Sequence, residues 1–277
     1  LFRLLSREMS PGFCLDEKNP AKCQNSPSKF QPVCYNGCEL PQNRWFCRTY
    51  FEKCEVPAME QDALEQKRAA LLAAGVLMMD PSAVYVGAGT LLLPGTILRG
   101  NTVIGEHCEI GPNTMLTDCT VGDGAVINSS QCNESTIEAG AHVGPFAYIR
   151  PNCHVGRDVK VGDFVELKNS TIGDGTKIAH LTYVGDADVG RRVNFGCGTV
   201  LVNYDGNRKY RTTIGDDCFI GCNTNLVSPV HVGDGAYTAA GSTITEDVPA
   251  DALAIARARQ VEKPGWAAAH RAKKARK

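Results

Sequence analysis

The sequence lacks a long apolar run and lacks an excess of charge of either sign. With 29 Lys and Arg against 30 Asp and Glu, the 277-residue chain has a formal net charge of -1, so charge does not favour nucleic acid or an anionic membrane as a partner. No window reaches the ~18 consecutive apolar residues of a membrane helix, and no basic N-terminal segment leads into an apolar one. We expect a soluble, cytoplasmic protein that binds neither nucleic acid nor membranes.

Paired Cys-x2-Cys spacings, which are typical of zinc modules, are also missing, although the chain has 13 cysteines. An even number of them lies in a short Pro- and Asn-rich N-terminal segment, at Cys14, Cys23, Cys34, Cys38, Cys47 and Cys54. Such a cluster favours a disulfide framework, with a zinc site or a poorly ordered extension as the alternatives. We treat residues 1–57 as a cysteine-rich segment of unknown role.

A helical period links this segment to the rest of the chain. Leu64, Leu71 and Leu72 lie on a helical period among good helix-forming residues, and Gly75 follows them as a candidate C-cap. These positions predict a linker helix within residues 58–80. At the other end of the chain, the basic stretch HRAKKARK predicts a solvated tail over residues 258–277.

The main part of the chain repeats every six residues. From Val86 onward, aliphatic residues hold one phase, a glycine commonly follows each of them, and a small residue stands four positions later. This hexad is typical of a parallel β-helix, in which three short strands make one turn and the aliphatic residue fills the axis. The repeat predicts an all-β solenoid domain over residues 81–257 with about nine turns. Its handedness does not follow from the residues alone.

One interval departs from this period. Ile214 follows the axial residue Leu201 by thirteen positions instead of six, so the residues between them must leave the coil as a loop. Asp205 and Gly206 form a turn signal within it. The loop also carries a cationic rim, formed by Arg208, Lys209 and Arg211. Long excursions from a rigid scaffold are common places for functional residues.

The phase of the hexad also fixes the direction of His180. Ile178 is an axial residue and Thr182 is a small corner residue, so the imidazole between them points away from the axis. An outward histidine without a partner is usually an ordinary surface residue. The neighbouring coils favour a chemical role instead.

Two cations and a glycine share one outward column on these coils. Arg150 and Lys168 each follow an axial residue and lie one coil apart, which stacks them at a spacing of about 4.8 Å. Gly185 comes next in the column and leaves an open space above them, and Val202 follows immediately before the loop. Stacked cations repel each other unless an anion lies between them. We therefore predict a phosphate-like cradle with an open slot beside it.

These groups suit acyl transfer to an amine. A neutral imidazole can take the proton of the amine as it attacks, and backbone N–H groups of the solenoid or the loop can stabilise the oxyanion. The reaction needs no metal. Four other histidines lie at different phases and on different faces, at His107, His142, His154 and His231. A three-histidine metal site within one chain is therefore not expected.

Five segments carry a resemblance to a known family: GPFAYIRP, VGDFVELKNS, AHLTYVGDADVG, NFGCGTVLVNYDG and IGDDCFIG. Over residues 64–266 the chain closely resembles the acetyltransferase half of the bacterial bifunctional N-acetylglucosamine-1-phosphate uridyltransferase / glucosamine-1-phosphate N-acetyltransferase. The resemblance implies a left-handed parallel β-helix that forms a homotrimer with active sites between subunits. It also implies acetyl transfer from acetyl-CoA to the 2-amino group of glucosamine 1-phosphate, a step in UDP-N-acetylglucosamine and peptidoglycan synthesis.

The resemblance further implies roles for individual residues. His180 would be the general base. The sugar phosphate would be held by Arg150, Lys168, Tyr183, Asn194 and Lys209. The acetyl donor would be bound or oriented by Cys197, Asn203, Tyr204, Cys222, Ala240 and Arg257. A guanidinium at the last of these positions suits the phosphates of coenzyme A.

The chain departs from the family pattern in two places. Cys197 and Cys222 stand where relatives often carry alanine and serine, so side-chain contacts with the acetyl donor would differ there. Residues 1–57 hold no glycine-rich nucleotide loop and are too few for an α/β domain, so we expect neither uridylyltransferase activity nor a Mg²⁺ requirement. The alternatives are a hexapeptide acyltransferase for another amino sugar and a non-catalytic solenoid; Lys209 argues against the first and His180 against the second.

Overall fold

The computed structural model describes residues 66, 69–80 and 83–274. The cysteine-rich segment 1–57 and the first part of the predicted linker helix lie outside these residues, so the disulfide and zinc hypotheses stay predictions. Within the described part of the chain, no helix is both long and apolar enough to span a membrane.

A glycine closes the last helical turn before the solenoid. The Gly75 N–H donates to the Leu72 carbonyl at 2.9 Å, and Gly75 has a φ of 80°. The Val76 N–H donates to the Leu71 carbonyl, also at 2.9 Å. This is a Schellman arrangement, in which glycine takes the left-handed φ without strain. The cap lets the chain turn directly into the first strand, which begins at Leu77, inside the span predicted as linker.

The strands of the described residues form three parallel sheets. Sheet A contains β1 (Leu77–Met78), β4 (Ile97–Arg99), β7 (Met115–Thr117), β10 (Gln131–Asn133), β13 (Tyr148–Ile149), β16 (Glu166–Lys168), β19 (Tyr183–Gly185), β22 (Val200–Val202), β25 (Asn225–Val227) and β28 (Thr243–Ile244). Sheet B contains β2 (Tyr85–Val86), β5 (Val103–Ile104), β8 (Thr120–Val121), β11 (Thr136–Ile137), β14 (His154–Val155), β17 (Thr171–Ile172), β20 (Ala187–Val189), β23 (Thr212–Ile214) and β26 (His231–Val232). Sheet C contains β3 (Leu91–Leu92), β6 (Glu109–Ile110), β9 (Val126–Ile127), β12 (His142–Val143), β15 (Lys160–Asp163), β18 (Lys177–His180), β21 (Asn194–Phe195), β24 (Phe219–Ile220), β27 (Tyr237–Thr238) and β29 (Leu253–Ala254).

The chain visits sheets A, B and C in turn, so each coil contributes one strand to each sheet, except that the last described coil has no strand in sheet B. The predicted parallel β-helix is confirmed, and the coil is left-handed, as the resemblance implies. Sheet A has ten strands within the described residues, against about nine predicted turns, because the coil already begins at Leu77. Successive strands pair residue by residue, as between Lys168 and Gly185, so side chains of equal phase form straight columns.

Aliphatic side chains fill the axis of the coil, as the hexad predicts. The largest of them are fully buried, at Leu98, Ile104, Ile110, Leu116, Ile127, Ile137, Ile149, Leu167, Ile172, Ile178, Leu201 and Ile214. Buried threonines at the corners donate hydrogen bonds to backbone carbonyls, as Thr176 Oγ1 does to Gly190 at 2.9 Å. Burying one large aliphatic side chain contributes about 1.5–3 kcal/mol. The axis therefore stabilises the coil and leaves the outward positions available for function.

The predicted tail contains a short helix. It spans Trp266–Lys274, and none of its residues is buried. The Trp266 and His270 rings stack with centroids 4.9 Å apart. The helix is therefore held by its own contacts rather than by packing against the solenoid.

Candidate active site

His180 lies at the end of β18, at the corner between sheets C and A. It pairs in register with Asp163 at the end of β15, one coil earlier. The imidazole Nδ1 lies 2.7 Å from Asp163 Oδ1, and this hydrogen bond lowers the pKa of the Asp163 carboxyl. An ionised carboxylate only accepts, so Nδ1 carries the proton and Nε2 is left with a lone pair. The His180 side chain is 59% exposed, so that lone pair can meet a substrate.

The predicted column of Arg150, Lys168 and Gly185 lies at the opposite edge of sheet A. Strand pairing stacks Lys168 on Gly185 directly and places Arg150 one coil before them. Arg150 Nη1 lies 2.8 Å from Glu166 Oε1, and both side chains are more than a third exposed. The arginine is therefore positioned by a surface ion pair but keeps donors free.

The excursion after β22 brings a third cation to this column. Lys209 contacts Lys168, and this contact and the charge of Lys168 lower the pKa of Lys209. Contact with Lys209 and the charge of Asp186 raise the pKa of Lys168. A dianion bound beside these two amines would favour the protonated, charged form of both. Lys209 thus joins Arg150 and Lys168 at the place where a phosphate-like cradle was predicted.

A buried carboxylate organises this cation cluster. Asp186 is only 7% exposed, and its Oδ2 lies 3.6 Å from Lys168 Nζ. The Asn169 and Asn203 side-chain amides donate hydrogen bonds to its two oxygens, at 2.6 and 2.5 Å. Burial raises the pKa of Asp186, but the two amide hydrogen bonds and the charge of Lys168 outweigh it and lower the pKa overall. Asp186 therefore stays ionised and holds both Lys168 and Asn203 in place.

The open slot predicted above Gly185 does not exist in the structure. The Tyr183 phenol folds over Gly185, and a Cβ added to Gly185 would lie 2.8 Å from Asn203 Nδ2. Asn203 Nδ2 and Tyr183 Oη lie 3.4 Å apart. The missing side chain thus makes room for two polar groups of this chain rather than for a ligand. This brings Tyr183 and Asn203 to the cation cluster.

The base of the excursion is fixed to the solenoid. Arg211 binds both Asp188 carboxylate oxygens at 2.6 Å and donates to the carbonyls of Asn169 and Ala187, at 3.1 and 3.0 Å. Its guanidinium lowers the pKa of Asp188.

Asp205 orders the tip of the excursion. Its Oδ1 accepts the Asn207 and Arg208 N–H groups at 2.7 and 2.6 Å, and a bridge joins Tyr204 to Lys209. With its base and its tip both fixed, the loop presents Lys209 in a defined position.

The outer face of sheet A connects the histidine edge to the cation edge. Tyr148, Glu166 and Tyr183 stack on it in register. The three residues of β19 that separate the two edges span about 10 Å. A small substrate with an amine at one end and a phosphate at the other would therefore reach both His180 and the cations.

Four of the residues predicted to bind the acetyl donor form a second column, above His180. The registers of β18, β21, β24 and β27 place Cys197, Cys222 and Ala240 on successive coils. The Asn223 N–H donates to the Cys197 carbonyl at 2.8 Å, and the Gly241 N–H donates to the Cys222 carbonyl at 2.8 Å. A Cβ on Gly241 would lie 3.8 Å from Arg257 Cδ, so Arg257 lies at the end of this column.

The structure does not bring Asn194 to the cation cluster. Asn194 lies on the outer face of sheet C, in register with Lys177 and Phe219. Within the described residues, no cluster of three or more His, Cys, Asp or Glu side chains has the arrangement of a metal site.

Sequence reasoning missed three acidic residues of the site: Asp163, Glu166 and Asp186. The signal for Asp163 is its spacing of seventeen residues from His180, which is one coil at the same phase. Asp186 follows Gly185 and could have been found as the carboxylate next to the cation column.

The repeat family described as bacterial transferase hexapeptide (six repeats) matches residues 83–118, 134–169 and 211–246. Proteins with the name Bifunctional protein GlmU are similar to this chain. The relative from Clostridium kluyveri (strain ATCC 8527) is 54% identical over 198 residues, which cover 69% of this chain and 43% of the relative.

Two further relatives of the same name show a similar extent. That of Clostridium acetobutylicum is 50% identical over 219 residues, covering 77% of this chain and 47% of the relative. The relative from Brevibacillus brevis is 54% identical over 199 residues, which cover 70% of this chain and 43% of the relative. The chain thus spans less than half the length of these curated relatives.

Proposed function

Since the chain belongs to the hexapeptide-repeat transferases and is homologous to part of GlmU, we propose that it is an acetyl-CoA-dependent glucosamine-1-phosphate N-acetyltransferase. The observation that carries this proposal is that the two edges of the outer face of sheet A carry different groups. An oriented histidine lies at one edge, and three cations lie at the other, about 10 Å away. This arrangement suits a hexosamine phosphate bound with its amine at His180 and its phosphate at Arg150, Lys168 and Lys209.

The histidine edge performs the chemical step in this proposal. His180 Nε2 takes a proton from the substrate amine as the amine nitrogen attacks the thioester carbonyl of acetyl-CoA. A C–N bond forms, the carbon–sulfur bond breaks, and coenzyme A leaves as a thiol after receiving a proton. Asp163 holds the imidazole through Nδ1 and stabilises the imidazolium that forms. Backbone N–H groups of the corner are the candidates for stabilising the oxyanion.

The cation edge binds the phosphate and sets the direction of the sugar. Charge-assisted hydrogen bonds from Arg150, Lys168 and Lys209 are stronger than neutral ones, and they hold the sugar in one orientation across sheet A. Asp186 prevents the ammonium of Lys168 from turning away. Tyr183 and Asn203 lie at this cluster and would contact the sugar.

The acetyl donor is proposed to lie along the column above His180. Cys197, Cys222 and Ala240 present small side chains there, which leave a narrow strip for the pantetheine arm. Arg257, at the end of the column, suits the phosphates of coenzyme A. Tyr204 and Asn203 would orient the thioester from the loop.

The homotrimer and the cytoplasmic location are further parts of the proposal. An apolar ridge lies beside His180, where Phe146, Phe164 and Leu181 are 60%, 60% and 55% exposed. Exposed apolar patches of this kind mark protein interfaces. A neighbouring subunit packed there would bring a second face to the site, which gives Asn194 a route to the substrate from sheet C.

Product analysis tests the proposal. The purified protein is incubated with acetyl-CoA and glucosamine 1-phosphate, and N-acetylglucosamine 1-phosphate is measured by mass spectrometry. We expect turnover by the wild type and a loss of about 10²- to 10⁴-fold for His180→Ala. No product from a verified trimer would contradict the enzyme proposal. A His180→Ala variant as active as the wild type would contradict the role of the base.

A further inference from the structure

Two cysteines lie next to each other in the column above His180. Cys222 is exposed and Cys197 is half-buried. The other described cysteines are buried in the coil, at Cys108, Cys119, Cys132, Cys153 and Cys218. Cys197 and Cys222 are therefore the described thiols that a reagent in solution can reach.

The backbone holds these two cysteines at a spacing that a disulfide accepts. They occupy the same position of equivalent turns on neighbouring coils, and the turns are joined by the hydrogen bond from Asn223 N–H to the Cys197 carbonyl at 2.8 Å. Neighbouring strands lie about 4.8 Å apart. Disulfides are found with Cα atoms about 4.4–6.8 Å apart.

The two turns are also packed closely and bent alike. The residues after the cysteines both have a left-handed backbone, with φ of 76° at Gly198 and 54° at Asn223. A Cβ added to Gly196 would lie 2.7 Å from the Cys222 Cα, so the glycine lets the second turn rest on the first. Because the two backbones are equivalent, the two Cα–Cβ bonds run nearly parallel. The two side chains then need to move only a short distance towards each other for the sulfurs to bond.

We propose that Cys197 and Cys222 form a dithiol modification site, which low-molecular-weight disulfides convert into a disulfide between neighbouring coils. The effect on activity rests on the proposed function, because the site lies on the strip assigned to the acetyl donor. The sulfur–sulfur bond joins the two side chains across this strip, directly above His180. The thioester arm then loses the contact surface that leads its carbonyl to the base.

The reaction balances as two thiol–disulfide exchanges. The Cys222 thiolate attacks one sulfur of the small disulfide, forms a mixed disulfide and releases one small thiolate. The Cys197 thiolate then attacks the Cys222 sulfur and releases the second small thiolate. The two protein thiols lose their protons, and the two released thiolates take up protons, so the small disulfide is the oxidant and is reduced.

Peptide mapping tests the cross-link directly. The full chain is incubated with glutathione disulfide, blocked with an alkylating reagent, and digested with trypsin without reduction. Trypsin places Cys197 in the peptide 193–208 and Cys222 in the peptide 212–257, which also contains Cys218. We expect these two peptides to be linked and to separate after treatment with dithiothreitol.

Two variants identify the bond. Cys222→Ala is expected to abolish the link between the peptides, whereas the matched control Cys218→Ala, which removes a buried thiol from the same peptide, is expected to retain it. A link that survives in Cys222→Ala would overturn the assignment. Glutathione attached to Cys222 with no linked peptide at saturating glutathione disulfide would overturn the dithiol site.

Acetyl transfer by the cross-linked protein is measured against its own reduced form. We expect a loss of about ten-fold or more that dithiothreitol reverses. Full activity of completely cross-linked protein would overturn the effect on the donor strip. A reduced protein without activity that still forms the cross-link would contradict the proposed function and leave the dithiol site standing, so the two failures are distinguishable.

Discussion

At the scale of single residues, the contact between Asp163 and His180 decides which imidazole nitrogen is free. The carboxylate lies 2.7 Å from Nδ1 and holds the proton there, because it has no proton to donate. Without this partner, an exposed histidine exchanges between tautomers and rotates freely. In the proposed mechanism, Asp163 acts through His180 rather than by touching the substrate.

Replacing Asp163 by asparagine tests this positioning role. Asparagine can donate to Nδ1 and so favour the wrong tautomer, and it cannot stabilise the imidazolium by charge. We expect kcat to fall about ten-fold or more, with little change in the KM for glucosamine 1-phosphate. Steady-state kinetics measure both quantities.

A matched control exists elsewhere on the solenoid. Glu138 lies 3.8 Å from His154, in a second histidine–carboxylate pair outside the proposed site. Glu138→Gln is expected to leave kcat unchanged. A rise in KM without loss of kcat in Asp163→Asn would show that Asp163 binds substrate instead.

Asp186 connects the side-chain amides of Asn169 and Asn203 to the cation cluster, so its replacement by asparagine should affect stability. The new side-chain NH₂ would face the donor groups of Asn169 or Asn203 and leave one of them without an acceptor. We expect a loss of about 1–3 kcal/mol in the free energy of unfolding at pH 7. Urea unfolding followed by circular dichroism measures this loss.

The pH dependence of this loss follows from the lowered pKa of Asp186. A carboxyl with a lowered folded pKa stabilises the fold above its ordinary pKa, and this contribution disappears as the pH falls through the folded value. The difference between wild type and Asp186→Asn should therefore narrow below about pH 4. A difference that widens towards acid pH would contradict the ionised state of Asp186.

The sequence predicts columns of residues well and side-chain contacts poorly. The hexad places Arg150, Lys168 and Gly185 in one column because backbone pairing fixes their phase. It does not predict that the Tyr183 ring folds over Gly185, since that position depends on the partners offered by Asn203. Contacts of this kind arise from packing between coils, and no period in the sequence encodes them.

At the scale of elements, the excursion between β22 and β23 functions as a rigid arm. Arg211 ties its base to Asp188 and to two backbone carbonyls. Bidentate arginine–carboxylate pairs fix orientation as well as distance. The arm thereby keeps Lys209 in contact with Lys168.

Loss of this anchor should weaken phosphate binding. Arg211→Gln removes the bidentate pair, so we expect the KM for glucosamine 1-phosphate to rise about ten-fold, with a smaller change in kcat. The exposed neighbour Arg208 serves as a matched control, since its replacement by glutamine also removes one charge from the loop. Equal effects of the two changes would indicate that loop charge, and not the anchor, governs binding.

The position of the arm follows from the sequence, and its internal structure does not. The thirteen-residue interval before Ile214 shows that the chain must leave the coil. The anchoring by Arg211 depends on Asp188, which a coil of the solenoid brings close. The start of the coil at Leu77 was also not predicted, because a single strand before Val86 shows no period.

At the scale of the whole molecule, one apolar axis stabilises all coils together. Leu167 is fully buried and lies beneath Lys168, so its truncation to alanine removes packing from the centre of the solenoid. We expect a loss of about 2–5 kcal/mol in the free energy of unfolding. Chemical denaturation measures it.

An outward strand residue provides the comparison for this truncation. Val103 is 42% exposed, and Val103→Ala is expected to change stability by no more than about 0.5 kcal/mol. Similar losses for Leu167→Ala and Val103→Ala would contradict the description of the axis as the core.

The overall architecture was predictable because the hexad persists over most of the chain. Handedness was not derivable from residues, since general rules favour right-handed crossovers, and it came from the resemblance. The homotrimer stays a prediction. The phase of Phe146, Phe164 and Leu181 shows that they face outward.

The orientation of the substrate across sheet A is the central claim, and the specificity of Lys168→Met tests it most directly. The kcat/KM values for glucosamine 1-phosphate and for glucosamine are measured with the wild type and with the variant. We expect the wild type to prefer the phosphorylated substrate strongly. We expect Lys168→Met to reduce this preference about ten- to hundred-fold while glucosamine turnover is unchanged, and this result would support the proposed orientation. Equal losses with both substrates would contradict it.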